Sequence, residues 1–103
     1  MADKVFVDDV SEFGKGEYRT LYKGNTDIAV FNVAGEYYAI EDVCTHDGGV
    51  LTGGEVDGEE VECPRHQARF NIKTGEALTP PAFEGVETFK TEVEDEKVYV
   101  YVN

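Results

Sequence analysis

The chain has 103 residues, 22 acidic against nine basic, and a formal net charge of −13. That length suits one domain, residues 1–103, with a modest core, and its charge repels nucleic acid and anionic membrane while attracting basic partners. No apolar run is long enough to span a bilayer as a helix, and Met1-Ala2-Asp3-Lys4 does not open an export signal, so a cytoplasmic protein is expected.

Eleven glycines and few helical runs point to short strands and turns. Lys4 to Val7 reads as the first strand, and Asp8 to Gly16 as a polar loop broken at Gly14-Lys15-Gly16. Glu17 to Lys23 is the second strand, with Gly24-Asn25 turning after it. Thr26 to Val33 and Glu36 to Glu41 bracket Ala34-Gly35 as a hairpin, in which Tyr37 and Tyr38 are packing residues.

Further on, Glu55 to Val61 carries an Asp57-Gly58 turn between short strands. Ala68 to Ile72 is a strand, followed by a turn over Lys73 to Glu76. Val86 to Glu94 and Lys97 to Val102 form a closing hairpin around Asp95-Glu96. Val98, Val100 and Val102 alternate with Tyr99 and Tyr101, so one face of that last strand is buried. The reading is all-β.

Every thiol and every imidazole of the chain lies between Cys44 and His66. The segment reads Cys44-Thr45-His46, sixteen residues, then Cys63-Pro64-Arg65-His66. Two ligand pairs on short loops cost little to order, and together they make a two-sulfur, two-nitrogen set suited to zinc or an iron–sulfur centre. Zinc motifs favour paired cysteines followed by paired histidines, so this interleaving is unusual for zinc. A Cys44–Cys63 disulfide is the other alternative, and it leaves both histidines unexplained.

Cys44-x-His46 with Cys63-x2-His66 resembles the Rieske [2Fe–2S] signature, in which two histidines replace two cysteines on one iron. The likeness extends to Leu51, to Phe70, and to Thr79-Pro80-Pro81, which looks like that family's proline loop. It implies that Cys44 and Cys63 bind the inner iron and His46 and His66 the outer one. It also implies a Rieske-like fold, with antiparallel sheets in a sandwich or barrel-like base and a small cluster-binding lobe over about residues 42–83. Glycines 48 and 49 are then expected to let the backbone approach the cluster and aim N–H groups at sulfur.

High-potential Rieske proteins carry a loop-bridging cysteine pair and a serine and tyrosine that donate to the sulfurs. Here Gly49 and Arg65 stand at the cysteine positions, and Ala68 and Phe70 at the hydroxyl positions. A low potential is therefore expected, toward the bottom of the Rieske span of about −150 to +300 mV. Arg65 and Arg69 are read as surface charges.

The four ligands leave no histidine for an open two-histidine, one-carboxylate iron site, and no glycine-rich nucleotide fingerprint is present. The resemblance thus implies no enzyme but a monomeric electron carrier of the kind found in bacterial aromatic-ring-hydroxylating dioxygenase systems. Such a carrier takes one electron from a flavin-dependent ferredoxin reductase and gives it to a terminal Rieske oxygenase. Docking is expected at a tip formed by His46, Asp47, Arg65, His66, Gln67 and Pro80-Pro81. The alternatives are a small subunit resembling that of assimilatory nitrite reductase, and a zinc-stabilised interaction module.

Overall fold

Ile28-Ala29-Val30-Phe31 is an unbroken apolar run at the centre of a strand, and it marks a strand covered on both faces. A computed structural model describes residues 2–45, 48–65, 67–80 and 82–102, and shows the coverage directly. Among those residues there are ten strands: β1 (Asp3–Asp9), β2 (Tyr18–Lys23), β3 (Thr26–Val33), β4 (Glu36–Glu41), β5 (Val56–Asp57), β6 (Glu60–Glu62), β7 (Arg69–Asn71), β8 (Thr88–Phe89), β9 (Thr91–Glu94) and β10 (Lys97–Val102). They form three antiparallel sheets, ordered β1-β10-β9, β2-β3-β4-β8 and β5-β6-β7.

The four-stranded sheet is the middle layer. Ile28, Val30 and Ala39 pack with Phe13 and with Val98, Val100 and Val102 of β10. The intervening residues Ala29, Phe31 and Ile40 face the other way, into a cluster with Leu51, Val61, Phe70 and Ile72. Strand alternation therefore divides one apolar run between two cores. Tyr37 packs edge-on against Phe13 at 5.0 Å between ring centres, as expected of a packing residue.

Two departures from the sequence reading have local causes. The first strand runs on through Asp8 and Asp9, past an irregularity between Phe6 and Asp8, because both residues pair with β10. A short 3-10 turn over Val10–Glu12 follows. The expected strand from Val86 to Glu94 is split at Lys90 into β8 and β9. The two halves belong to different sheets: β8 pairs with β4 and β9 with β10. Thr91 Oγ1 ties the split to the middle sheet by donating to Tyr37 O at 2.6 Å.

Asp95 and Glu96 close the last hairpin with φ of 52° and 64°. Ala34-Gly35 and Gly24-Asn25 also take positive φ at both turn residues, the signature of the turn that matches strand twist. No helix among the described residues is long and apolar enough to cross a membrane.

Candidate metal centre

Cys44 lies just beyond the end of β4, and Cys63 just beyond the end of β6. Each cysteine opens a loop closed by the same two backbone hydrogen bonds. In the first, Cys44 N–H donates to Gly49 O at 2.6 Å and Gly48 N–H to Cys44 O at 2.7 Å. In the second, Cys63 N–H donates to Ala68 O at 2.7 Å and Gln67 N–H to Cys63 O at 3.0 Å. The fourth residue after the cysteine has positive φ in both, 77° at Gly48 and 61° at Gln67.

This pattern corrects one expectation. The Gly48 N–H goes to the Cys44 carbonyl and so is not the sulfur donor foreseen for it. Its glycine serves the left-handed turn instead.

Both cysteines are fully buried among Leu51, Val61, Ala68 and Phe70, and they form no disulfide. The disulfide alternative is thereby removed. His46, Asp47, His66 and Pro81 lie outside the described residues. The described donors alone include no group of three or more metal-binding side chains.

A buried carboxylate braces the first loop. Asp42, only 4% exposed, accepts from Leu51 N–H at 2.7 Å and Thr52 N–H at 3.0 Å through Oδ1, and from the Thr52 hydroxyl at 2.8 Å through Oδ2. Every oxygen of the acid is thus used, which is the condition for burying it. Sequence reading passed over Asp42, because a lone Asp at a strand end looks like a turn residue.

A third loop, between Ala77 and Val86, rests on both cysteine loops. Ala77 pairs with Phe70, Leu78 N–H donates to Arg69 O at 2.8 Å, and Arg69 N–H donates to Thr79 Oγ1 at 2.9 Å. On the other side Thr45 Oγ1 donates to Glu84 O at 2.6 Å. The first two loops are joined by Arg65, whose Nη2 donates to Val50 O at 3.0 Å. The three loops therefore brace one another in a closed ring.

Arg65 is exposed and Arg69 partly so, as expected of surface charges, and each also has partners. Arg65 joins two loops, and Arg69 is held across the small sheet by Glu62 at 3.2 Å, Glu60 at 3.6 Å and Asp57 at 3.9 Å. Those three carboxylates outnumber the Arg69 charge, so the small sheet adds to the chain's negative field. The resolved titration shifts belong mostly to the base. Lys4 is pushed up by hydrogen bonds to Glu92 and Glu94, and Asp8 is pulled down by Arg19.

The donor chemistry fits a Rieske cluster. Two cysteines buried in an apolar pocket could carry negative charge only beside a cation, which the irons of a bound cluster would supply. The two matching loops each bring one buried cysteine to the same apolar pocket, where both could hold one iron of such a cluster.

Known proteins agree with that chemistry. The Rieske [2Fe-2S] domain profile matches residues 3–90. A naphthalene 1,2-dioxygenase/salicylate 5-hydroxylase ferredoxin component from Ralstonia sp is 34% identical over 96 residues, covering 93% of this chain and 89% of its own. A 3-phenylpropionate/cinnamic acid dioxygenase ferredoxin subunit from Shigella boydii serotype 4 (strain Sb227) is 43% identical over 99 residues, covering 95% and 92%. Among solved structures, a chain from the complex of reduced oxygenase and oxidized ferredoxin in carbazole 1,9a-dioxygenase superposes with a TM-score of 0.90 at 35% identity. It covers 94% of this chain and 91% of that one.

Proposed function

This chain belongs to the Rieske [2Fe–2S] domain family, and we propose that Cys44, His46, Cys63 and His66 hold its cluster. When bound, such a cluster supplies reversible one-electron chemistry. The chain is an electron carrier of the ferredoxin-component type rather than a catalyst. Its support in the fold is the pair of matching loops, each of which brings one buried cysteine to the same apolar pocket.

Residues from about 42 to 83 act as the cluster-binding lobe of a single domain. Within it the chain's own groups exclude water and set the potential. Ala68 and Phe70, both fully buried beside Cys63, place a methyl and a phenyl where hydroxyl donors would ease reduction. The potential therefore lies toward the low end of the family's span of about −150 to +300 mV.

The electron comes from a flavin-dependent ferredoxin reductase and goes to a terminal Rieske oxygenase, in the cytoplasm, with the carrier acting as a monomer. Its docking face is the tip made by the three loops. Gln67 and Pro80 are exposed on those loops, and Val50 at 44%, Leu78 at 39% and Phe83 at 84% are exposed on the segments beside them. Apolar side chains bared on an otherwise acidic protein suit a brief contact that excludes water without locking.

Phe83 is the cleaner probe of this tip, since Arg65 also holds loops together. Phe83→Ser is expected to slow single-turnover delivery to a terminal Rieske oxygenase while leaving the visible spectrum intact. Unchanged delivery would exclude the tip as the docking face. Metal analysis tests the ligand assignment: two irons and two sulfides per chain are expected, and neither should survive loss of Cys44 or Cys63.

A further inference from the structure

The contact between Arg65 and the first loop is closer than a single hydrogen bond implies. A Cβ built on Gly49 would stand 2.6 Å from both Cζ and Nη2 of Arg65, and 2.9 Å from Nε. The guanidinium therefore lies flat against the Gly49 backbone while Nη2 donates to the next carbonyl, Val50 O, at 3.0 Å. A side chain at 49 would displace it. Gly49 does not have the positive φ that marks Gly48, and the space a side chain would take there is filled by the Arg65 guanidinium, which a substitution would have to push aside.

From this fit we propose that Arg65 is a positioning residue, a planar latch seated on Gly49 that fixes the spacing of the two cysteine loops. The proposal rests on the reading that those loops hold the cluster. Geometry favours arginine over lysine for the task. A planar fork covers a peptide face and donates at its edge, while an ammonium on a flexible stem does only the second. Position favours it too. Arg65 is two residues after Cys63, and Gly49-Val50 follows the turn that closes on Cys44. Opening the latch removes a direct polar link between the two loops and leaves them the third loop and their shared buried cluster.

Two substitutions separate the latch from the arginine's charge. Gly49→Ala keeps the charge and unseats the plane; Arg65→Lys keeps the charge and loses the fork. Each cluster-loaded variant is challenged with an iron chelator, and the loss of visible absorbance gives a release half-life. Each variant is expected to shorten that half-life at least fivefold and to broaden the paramagnetic spectrum of the reduced protein. The double variant should be no worse than twofold beyond either single one, because both remove the same contact.

Wild-type half-lives in Arg65→Lys would overturn the latch and leave charge as the arginine's contribution. Multiplying effects in the double variant would also overturn it. If Gly49→Ala fails to fold, Arg65→Lys and Arg65→Gln still decide: equal losses support a latch, and a loss in Arg65→Gln alone refutes it. A wild-type protein that is colourless and iron-free would sink the functional reading together with the latch. That result is distinct from a brown wild type whose variants release iron at the normal rate.

Discussion

Gly48 and Gln67 occupy the same place in two copies of one loop, yet only one of them is glycine. Each donates its N–H to the carbonyl of the cysteine four residues earlier, and each has left-handed φ. An L-residue in that conformation carries a cost of about 1–2 kcal/mol that glycine avoids. Gln67→Gly is therefore expected to stabilise the protein by about 1 kcal/mol, and Gly48→Ala to destabilise it by a similar amount. Thermal unfolding should show opposite shifts of about 5 °C. Shifts of the same sign would mean that the two loops are not equivalent.

Asp42 supplies the next prediction. Replacing it with Ala removes the acceptor from the Leu51 and Thr52 N–H groups. Leaving buried donors unpaired should cost about 3 kcal/mol. Asn retains one oxygen for both N–H groups, and its amide can donate to a Thr52 hydroxyl that reverses its role. Asp42→Asn should therefore cost about 1 kcal/mol. Denaturant titration of both variants gives the comparison, and equal losses would show that the charge matters more than the bonds.

The methyl of Ala68 bears on the potential. Ala68 is fully buried in the cluster of side chains that contains both cysteines. A hydroxyl at that point adds a donor able to stabilise the reduced state. Ala68→Ser is expected to raise the midpoint potential measured by voltammetry. An unmoved or lowered potential would remove the missing hydroxyl as the cause of a low value.

Part of the acid sensitivity should trace to the join between β1 and β2, the rest including Glu92, which Lys4 and Tyr101 hold below its ordinary range. Arg19 Nε donates to Asp8 Oδ2 at 2.9 Å, and Arg19 also reaches Glu12 O and covers the Phe13 ring. The hydrogen bond from Arg19 holds the Asp8 carboxyl below its ordinary range. The folded chain then binds fewer protons than the unfolded chain as that group titrates, so stability rises with pH there. The contribution is complete above the unfolded carboxylate value and is lost as pH falls through the depressed folded value. Asp8→Asn should flatten the acid limb of a stability–pH curve, and an unaltered limb would assign acid sensitivity elsewhere.

The residues alone indicated most of the strands and suggested the donor set. Alternation in Lys97–Val102 and the Ala34-Gly35 turn are local signals, because strand period and turn type depend on near neighbours. The proposed ligands Cys44, His46, Cys63 and His66 draw on the same kind of local signal, since each pair is close in the chain.

The tertiary structure decided what depends on segments meeting across distance. Only it shows that one apolar run serves two cores, or that Lys90 divides a strand between sheets. Only it seats Arg65 on Gly49, sixteen residues earlier in the chain, and turns the buried acid of Asp42 onto Leu51 and Thr52. A charge in a sequence has no partner until folding chooses one. Near the cysteines that choice gave Asp42 and Arg65 partners in the first loop that sequence could not name.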